Sequence, residues 1–181
     1  MAVRIAYAVA RQIAEHALSA APDEACGILA GTRAQISRAI PLKNAADAPD
    51  RQFRFDPEEQ LAALKALDAD ELGWVGVYHS HPKSPPIPSP EDIAAAVDSG
   101  LLQLIVSLES ARPKLKLWQV EGSSVTPLSL ALDTEVDTPI DDRLSQRHQV
   151  AIVVAAVASV LLLLAVSLML LPPAPELAPP P

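Results

Sequence analysis

The stretch that decides the fold reads Gly73-Trp74-Val75-Gly76-Val77-Tyr78-His79-Ser80-His81-Pro82. Its first six residues are mostly apolar or small and include several that favour β-structure, so they predict a buried strand that carries two histidines at its end. Side chains two residues apart on a strand point to the same face, which lets His79 and His81 reach one common ion while Ser80 points away. Two imidazoles placed in this way indicate a metal site rather than isolated core histidines.

A stiff loop follows the histidines and leads to a short helix. The segment Pro82–Pro88 contains four prolines, so it cannot be helical and is a poor strand. Ser89 is the predicted N-cap and Pro90 the first position of a helix that continues through Ile93–Val97. The side chain of Asp92 therefore lies in the first turn, where Ser89 and Asp92 alone would be typical of a capping pair.

Asp92 can instead act together with the two histidines. Two imidazoles and a carboxylate are three ligands that suit a catalytic zinc ion with one position left for water. The same set also suits Fe(II), so a non-haem iron enzyme remains an alternative at this point. The pattern of His79, His81 and Asp92 favours a metal-activated hydrolase.

A hydrolytic site of this kind also needs a base that takes a proton and returns it to the leaving group. The candidate is Glu24, which begins the apolar, glycine-ended segment 24–31, although a solvated acid at the start of a strand would look the same. Cys26 is the only cysteine, so an internal disulfide is excluded. We interpret Cys26 as a small buried residue beside the site rather than a reactive thiol.

These residues resemble the JAMM motif of MPN-domain zinc metalloproteases, including the small stand-alone bacterial members. The matching segments are Glu24-x-Cys26-Gly27-x-Leu29-x-Gly31, His79-Ser80-His81-Pro82 and Ser89-x-x-Asp92. The likeness runs from about Val3 to Leu130 and also takes in Asn44 and the segment Phe53–Gln60. No motif position departs from the pattern of the catalytic members.

The resemblance implies a role for each of five residues. His79, His81 and Asp92 would bind one zinc ion, Glu24 would be the general base and acid acting on the zinc-bound water, and Ser89 would stabilise the oxyanion of the tetrahedral intermediate. The implied fold is α/β, of the α+β type, with a curved mixed β-sheet flanked by helices.

The implied activity is hydrolysis of a peptide or isopeptide bond at the C-terminus of a ubiquitin-like protein, or release of an amino acid from a sulfur-carrier protein. The length of the domain favours a minimal prokaryotic peptidase. A membrane-anchored interaction module without catalysis is the other alternative.

Composition predicts one compact domain followed by an appendage. The chain has 181 residues and a net charge of −8, which argues against a nucleic acid as partner. Residues 1–132 form the predicted catalytic domain, with helices expected at Ala8–Ala20 and Pro57–Leu67. Trp74 and Trp118 are expected in its core. Residues 133–149 read as a solvated acidic linker.

The segment Val150–Leu171 carries no charged residue and consists mainly of Ala, Val and Leu. As a helix it would be about 33 Å long, enough to cross a hydrocarbon core of about 30 Å. We therefore predict a C-terminal transmembrane helix, followed by a proline-rich tail at residues 172–181. Small residues spaced four apart in this helix could also pair two copies as a homodimer.

Orientation in the membrane rests on two arginines. Arg143 and Arg147 flank the predicted helix on its amino side, whereas the tail contains no Lys or Arg. Positive charge is retained on the cytoplasmic side of a membrane, so the catalytic domain is expected to face the cytoplasm. The apolar start Ile5–Ala10 is followed too soon by charged residues to be the core of a signal peptide.

Overall fold

A computed structural model describes residues 2–96, 100–122 and 124–133. All of them belong to one compact unit, Met1–Val136. Within these described ranges, no helix is long and apolar enough to cross a membrane. The predicted transmembrane helix at 150–171, the tail at 172–181 and all but the first residue of the predicted linker lie outside the described residues.

The described residues form eight strands and three helices. The strands are β1 (Val3–Ala6), β2 (Cys26–Thr32), β3 (Gln35–Leu42), β4 (Gly73–His81), β5 (Leu102–Ser107), β6 (Lys114–Glu121), β7 (Ser124–Leu128) and β8 (Leu130–Asp133). The helices are α1 (Tyr7–Ala20), α2 (Pro57–Ala69) and α3 (Pro90–Ala95). Asp133, which was expected to begin the linker, is the last residue of β8.

All eight strands belong to one sheet in the order β7-β6-β5-β4-β2-β3-β1-β8. Strand β4 pairs in parallel with β5, and β1 pairs in parallel with both β3 and β8. The remaining pairs are antiparallel. This arrangement confirms the predicted mixed sheet with flanking helices, and it places β4, which carries the histidines, inside the sheet rather than at an edge.

Two apolar cores cover the two faces of the sheet. Leu29 of β2 belongs to the core that includes Ile13 of α1, whereas its neighbour Ile28 belongs to the core that includes Leu67 of α2. This alternation is the two-residue period of a strand. Gly27 has no room for a β-carbon, because the Tyr78 ring and the backbone of β3 lie against it. The close packing fixes β2 against β4 at the level of the site.

The ends of the three helices lie within two residues of the ends predicted from the sequence. Helix α1 begins one residue before the expected Ala8, and α2 ends two residues after Leu67. Helix α3 has Ser89 as its N-cap and Pro90 as its first residue, as predicted. It ends at Ala95, short of the expected Val97, because Ala96 leaves the helical conformation with ψ at 67°.

Candidate metal centre and active site

The two histidines lie at the carboxyl end of β4, where neighbouring strands shield them from water. His79 is fully buried and His81 is 5% exposed. Their side chains share one face, and Ser80 points to the opposite face, as the strand period predicts. There the Ser80 hydroxyl oxygen accepts a hydrogen bond of 2.8 Å from the backbone N–H of Ala25. Ser80 thus fastens the end of β4 to the chain that enters β2.

Asp92 is at once a helix-capping residue and a member of the histidine cluster. Its Oδ2 atom accepts the Ser89 N–H at 2.8 Å, and the Ser89 hydroxyl oxygen accepts the Asp92 N–H at 3.0 Å. These two bonds form a capping box that holds the carboxylate in place. The same Oδ2 atom lies 3.3 Å from the Nε2 atoms of both His79 and His81. The capping and ligand interpretations therefore describe one arrangement.

The geometry of the three atoms fits a tetrahedral metal ion. The two histidine Nε2 atoms are 3.1 Å apart, and each is 3.3 Å from the carboxylate oxygen. A tetrahedron with ligands about 2.0–2.1 Å from zinc has edges of about 3.3–3.4 Å. His79, His81 and Asp92 form the one group of potential metal ligands found among the described residues. The residues present therefore fit zinc and leave the fourth corner to a non-protein ligand.

The protonation of His81 can be inferred from its second ring nitrogen. Its Nδ1 atom lies 2.8 Å from the carbonyl oxygen of Pro85, which can only accept a hydrogen bond. The Nδ1 atom therefore carries a proton and leaves the lone pair of Nε2 directed at the cluster. In this way the proline-rich loop orients the ring.

The pKa values of the two histidines and Asp92 depend on one another. Burial lowers the pKa of His79, which favours the neutral imidazole that binds metals. Burial also acts to lower the pKa of His81, but the Asp92 carboxylate, the Pro85 carbonyl group and the charge of Glu24 together outweigh it and raise that pKa. Burial acts to raise the pKa of Asp92, but hydrogen bonding with both histidines holds it well below the usual range. The cluster thus favours positive charge at its centre.

The ring of His79 is held by stacking rather than by a second hydrogen bond. Phe53 lies parallel to it, with the ring centroids 4.5 Å apart and the planes inclined by 20°. The Nδ1 atom of His79 is buried and has no hydrogen-bond partner within the described part of the chain. Phe53 was part of the sequence likeness, but its contact with the metal cluster was not foreseen.

Glu24 lies two residues before the start of β2 and is 5% exposed, so it is not the solvated acid that the sequence left open. Burial raises the pKa of Glu24 to about 7, and the charges of Asp92 and Asp50 add to the rise while His81 opposes it. A carboxyl group with a pKa in this range can both take and return a proton near neutral pH. The geometry therefore gives the cluster a neighbouring proton carrier.

The backbone at Glu24 is fixed from a loop that the sequence did not single out as part of the site. The Glu24 N–H donates to the carbonyl oxygen of Pro49 at 2.7 Å. The Asn44 side-chain amide donates to the carbonyl oxygen of Glu24 at 3.0 Å and to that of Gln52 at 2.9 Å. Its oxygen accepts from the backbone N–H of Arg54 at 3.2 Å. Asn44 therefore joins both ends of the loop 45–54 to the backbone of Glu24.

Cys26 occupies the position that the sequence suggested. It is fully buried opposite His79 on the neighbouring strand, with Sγ 3.5 Å from the carbonyl oxygen of Leu42. Burial raises the pKa of the Cys26 thiol to about 12, which keeps it protonated and a poor nucleophile. It acts as a small packing residue beside the site.

Comparison with known proteins identifies the family. The model described as "Prokaryotic homologs of the JAB domain" matches residues 7–121, which contain the histidines, Asp92, Ser89 and Glu24. The chain belongs to the prokaryotic JAB family. This match confirms the sequence-based identification of a JAMM-type metallopeptidase.

Characterised JAB relatives cover much of the same region. The chain is 36% identical to the CysO-cysteine peptidase of Mycobacterium tuberculosis over 115 residues, which are 61% of this chain and 77% of that protein. It is 46% identical to a "Probable TtuB-protein conjugate cleaving protease" of Thermus thermophilus over 81 residues. That alignment spans 45% of this chain and about half, 54%, of the relative.

A solved structure shares the fold of this chain. The solution structure of a protein from Desulfitobacterium hafniense superimposes with a TM-score of 0.69 at 32% sequence identity. It covers 76% of this chain and 97% of that protein. The JAB-like domain and the described compact unit therefore coincide closely.

Replacing Asn44 by alanine tests whether its hydrogen bonds hold the chain at Glu24. We expect Asn44→Ala to raise amide hydrogen exchange at Glu24 and across the loop 45–54 by at least about tenfold, because each lost bond to a part-buried partner costs about 1 kcal/mol or more. Exchange in the middle of β2 should not change. The control is Gln52→Ala, since the recorded hydrogen bonds of Gln52 use only its backbone. If amide exchange at Glu24 is unchanged in Asn44→Ala, then the Asn44 side chain does not hold the chain at Glu24.

Proposed function

We propose that this JAB-family peptidase uses one zinc ion, held by His79, His81 and Asp92, to hydrolyse a peptide or isopeptide bond at the C-terminus of a ubiquitin-like or sulfur-carrier protein. The observation that carries the proposal is the convergence of the three ligand atoms at 3.1–3.3 Å. Glu24 and Ser89 supply the base and the hydroxyl donor that a hydrolytic zinc site also requires.

The substrate class is supported by the activities named for two relatives. One is described as cleaving TtuB-protein conjugates and the other as acting on CysO-cysteine. In both descriptions the bond lies between a carrier protein and a second group. We infer that this chain acts on a bond of the same kind, either an isopeptide in a protein conjugate or an amide to a single amino acid.

Each residue of the site has a role in this reaction. When bound, zinc supplies Lewis acidity, which lowers the pKa of a coordinated water and polarises the scissile carbonyl group. Glu24 takes a proton from the attacking water and delivers it to the leaving nitrogen. The Ser89 oxygen accepts the Asp92 N–H, which leaves its hydroxyl proton able to donate to the oxyanion of the substrate.

Metal analysis tests the ligand set. The purified chain should contain about one zinc ion, because three protein ligands and one water complete a tetrahedral site. His81→Ala should lose this zinc, whereas His16→Gln, which changes a histidine outside the cluster, should retain it. Stoichiometric iron in the native chain, or the absence of any metal, would contradict the zinc assignment.

Activity measurements separate catalysis from metal binding. Glu24→Gln keeps the shape of the side chain but cannot carry a proton, so zinc content should survive while cleavage of a ubiquitin-like fusion falls by about 10² or more. Ser89→Ala should reduce turnover less than loss of Glu24 does, by at most about 10³ for a single oxyanion donor. Ser89→Thr serves as its control, since threonine also caps a helix and keeps the hydroxyl. Unchanged turnover in Glu24→Gln would exclude it from the mechanism.

We further propose that the segment Val150–Leu171 anchors the peptidase in a membrane, with the catalytic domain on the cytoplasmic side. The proposal is supported by the absence of charge in this segment and by Arg143 and Arg147 on its amino side alone. Such an anchor would confine cleavage to substrates that reach the membrane surface.

Fractionation and protease protection test the anchor and its direction. The full chain should remain with the membrane through washing at high salt and alkaline pH, because a spanning helix has its backbone hydrogen bonds satisfied within lipid. Protease added outside intact spheroplasts should leave the catalytic domain whole. Digestion of the domain under these conditions would show the opposite orientation. Recovery of the full chain in the soluble fraction would refute the anchor.

A further inference from the structure

A cavity of about 330 Å³ opens beside the metal cluster. Asp92 forms part of its wall, and so does Phe53, the ring that stacks on His79. Phe55 and Trp74 contribute two further aromatic walls. The indole N–H of Trp74 already donates to the carbonyl oxygen of Gly76 at 2.8 Å, so this ring offers the cavity an apolar surface. A ligand in the cavity would therefore lie next to the reacting bond and against aromatic walls.

One buried polar side chain in the cavity wall, that of Gln103, forms no hydrogen bond with any described residue. Gln103 lies on β5 opposite Val77 of β4 and is 7% exposed. No hydrogen bond of its carboxamide is recorded with any described residue, although a carboxamide has two donor protons and an acceptor oxygen. Its carboxamide atoms are not among the fully buried unpaired atoms of the described residues, so they reach the open space of the cavity. The amide is therefore available to a ligand that enters the cavity.

The lining of the cavity restricts what that ligand can be. No lysine or arginine lines it among the described residues, and its one charged lining group, Asp92, is a proposed metal ligand. An acidic side chain would lose its hydration there without gaining a basic partner, whereas an apolar side chain gains by leaving water. A peptide unit offers one donor and one acceptor, which complement the carboxamide of Gln103. These features select a peptide segment with an apolar side chain.

We propose that this cavity is a specificity subsite that binds an apolar side chain of the substrate, within three residues of the scissile bond, while the Gln103 carboxamide hydrogen-bonds to the substrate backbone. The proposal rests on the function proposed above, since it assigns the cavity to the same peptide substrate. It makes Gln103 a specificity-determining residue rather than a catalytic one, because it touches the substrate away from the reacting atoms.

A set of fusion substrates tests the preference. A ubiquitin-like protein is joined through its C-terminus to a reporter peptide, and Leu, Gly or Asp is placed in turn at each of the three positions on either side of the scissile bond. At one position Leu should exceed Gly in kcat/KM by about tenfold to a hundredfold, as expected for an apolar side chain in a fitted pocket, and Asp should fall below Gly. Equal rates at every position would overturn the proposal.

Two substitutions connect the preference to the cavity. Ala95 is an exposed residue on the cavity rim, so Ala95→Trp should fill the cavity and abolish the preference for Leu. Ala94→Trp is its matched control, since Ala94 is exposed on the same helix and does not line the cavity. Gln103→Leu should lower kcat/KM about fivefold to tenfold, mainly through KM, because it removes one hydrogen bond that substrate and transition state share. Gln119→Leu, the same change outside the cavity on β6, should have no such effect.

A binding measurement separates failure of the subsite from failure of the proposed function. Trp74 and Trp118 are the only tryptophans, so in Trp118→Phe the fluorescence reports on the cavity wall. The peptide acetyl-Gly-Leu-Gly-amide should give a saturable change that acetyl-Gly-Gly-Gly-amide does not give and that Ala95→Phe, which fills the cavity without adding a tryptophan, abolishes. If no fusion is cleaved but this change occurs, the subsite stands and the proposed function fails. If fusions are cleaved without preference and without the change, the subsite is refuted and the function stands.

Discussion

Three electron-pair donors meet in a part of the fold that water scarcely reaches, and the rest of the site depends on this constraint. The Nε2 atoms of His79 and His81 and the Oδ2 atom of Asp92 lie 3.1–3.3 Å apart. Lone pairs at this distance repel unless a cation lies between them, and a fully buried imidazole such as that of His79 resists protonation. A divalent metal ion resolves the conflict, and the arrangement matches one face of a zinc tetrahedron.

The fold holds this unfavourable arrangement by fixing each ligand through contacts with groups outside the cluster. Strand β4 fixes the two histidines on one face inside the sheet, and the carbonyl group of Pro85 sets the tautomer of His81. The capping box of α3 holds Asp92, so a short helix start serves as the support of a ligand. Asn44 and Ser80 bind the carbonyl oxygen and the N–H of the peptide unit between Glu24 and Ala25. The potential metal ligands and the buried Glu24 are thus positioned by independent elements that meet at one end of the sheet.

Much of this could be predicted from sequence because it depends on local rules. Strand periodicity paired His79 with His81, and the Ser-Pro pair at positions 89 and 90 fixed the helix start that carries Asp92. The remainder depends on contacts between distant segments, which no local pattern encodes. Phe53 stacks on His79, Gln103 faces the cavity, and Trp74, expected in the core, lies partly in the cavity wall. The segment beyond Asp133, where the membrane helix is predicted, remains a prediction from composition.

X-ray absorption spectroscopy of the zinc-loaded chain tests the central claim most directly. The account predicts a four-coordinate zinc with only nitrogen and oxygen ligands at about 2.0–2.1 Å and the outer-shell scattering of two imidazoles. Cys26 is the only cysteine and lies opposite His79, so its sulfur is the ligand that a different arrangement would recruit. Sulfur scattering at about 2.3 Å, or a spectrum without two imidazoles, would contradict the account.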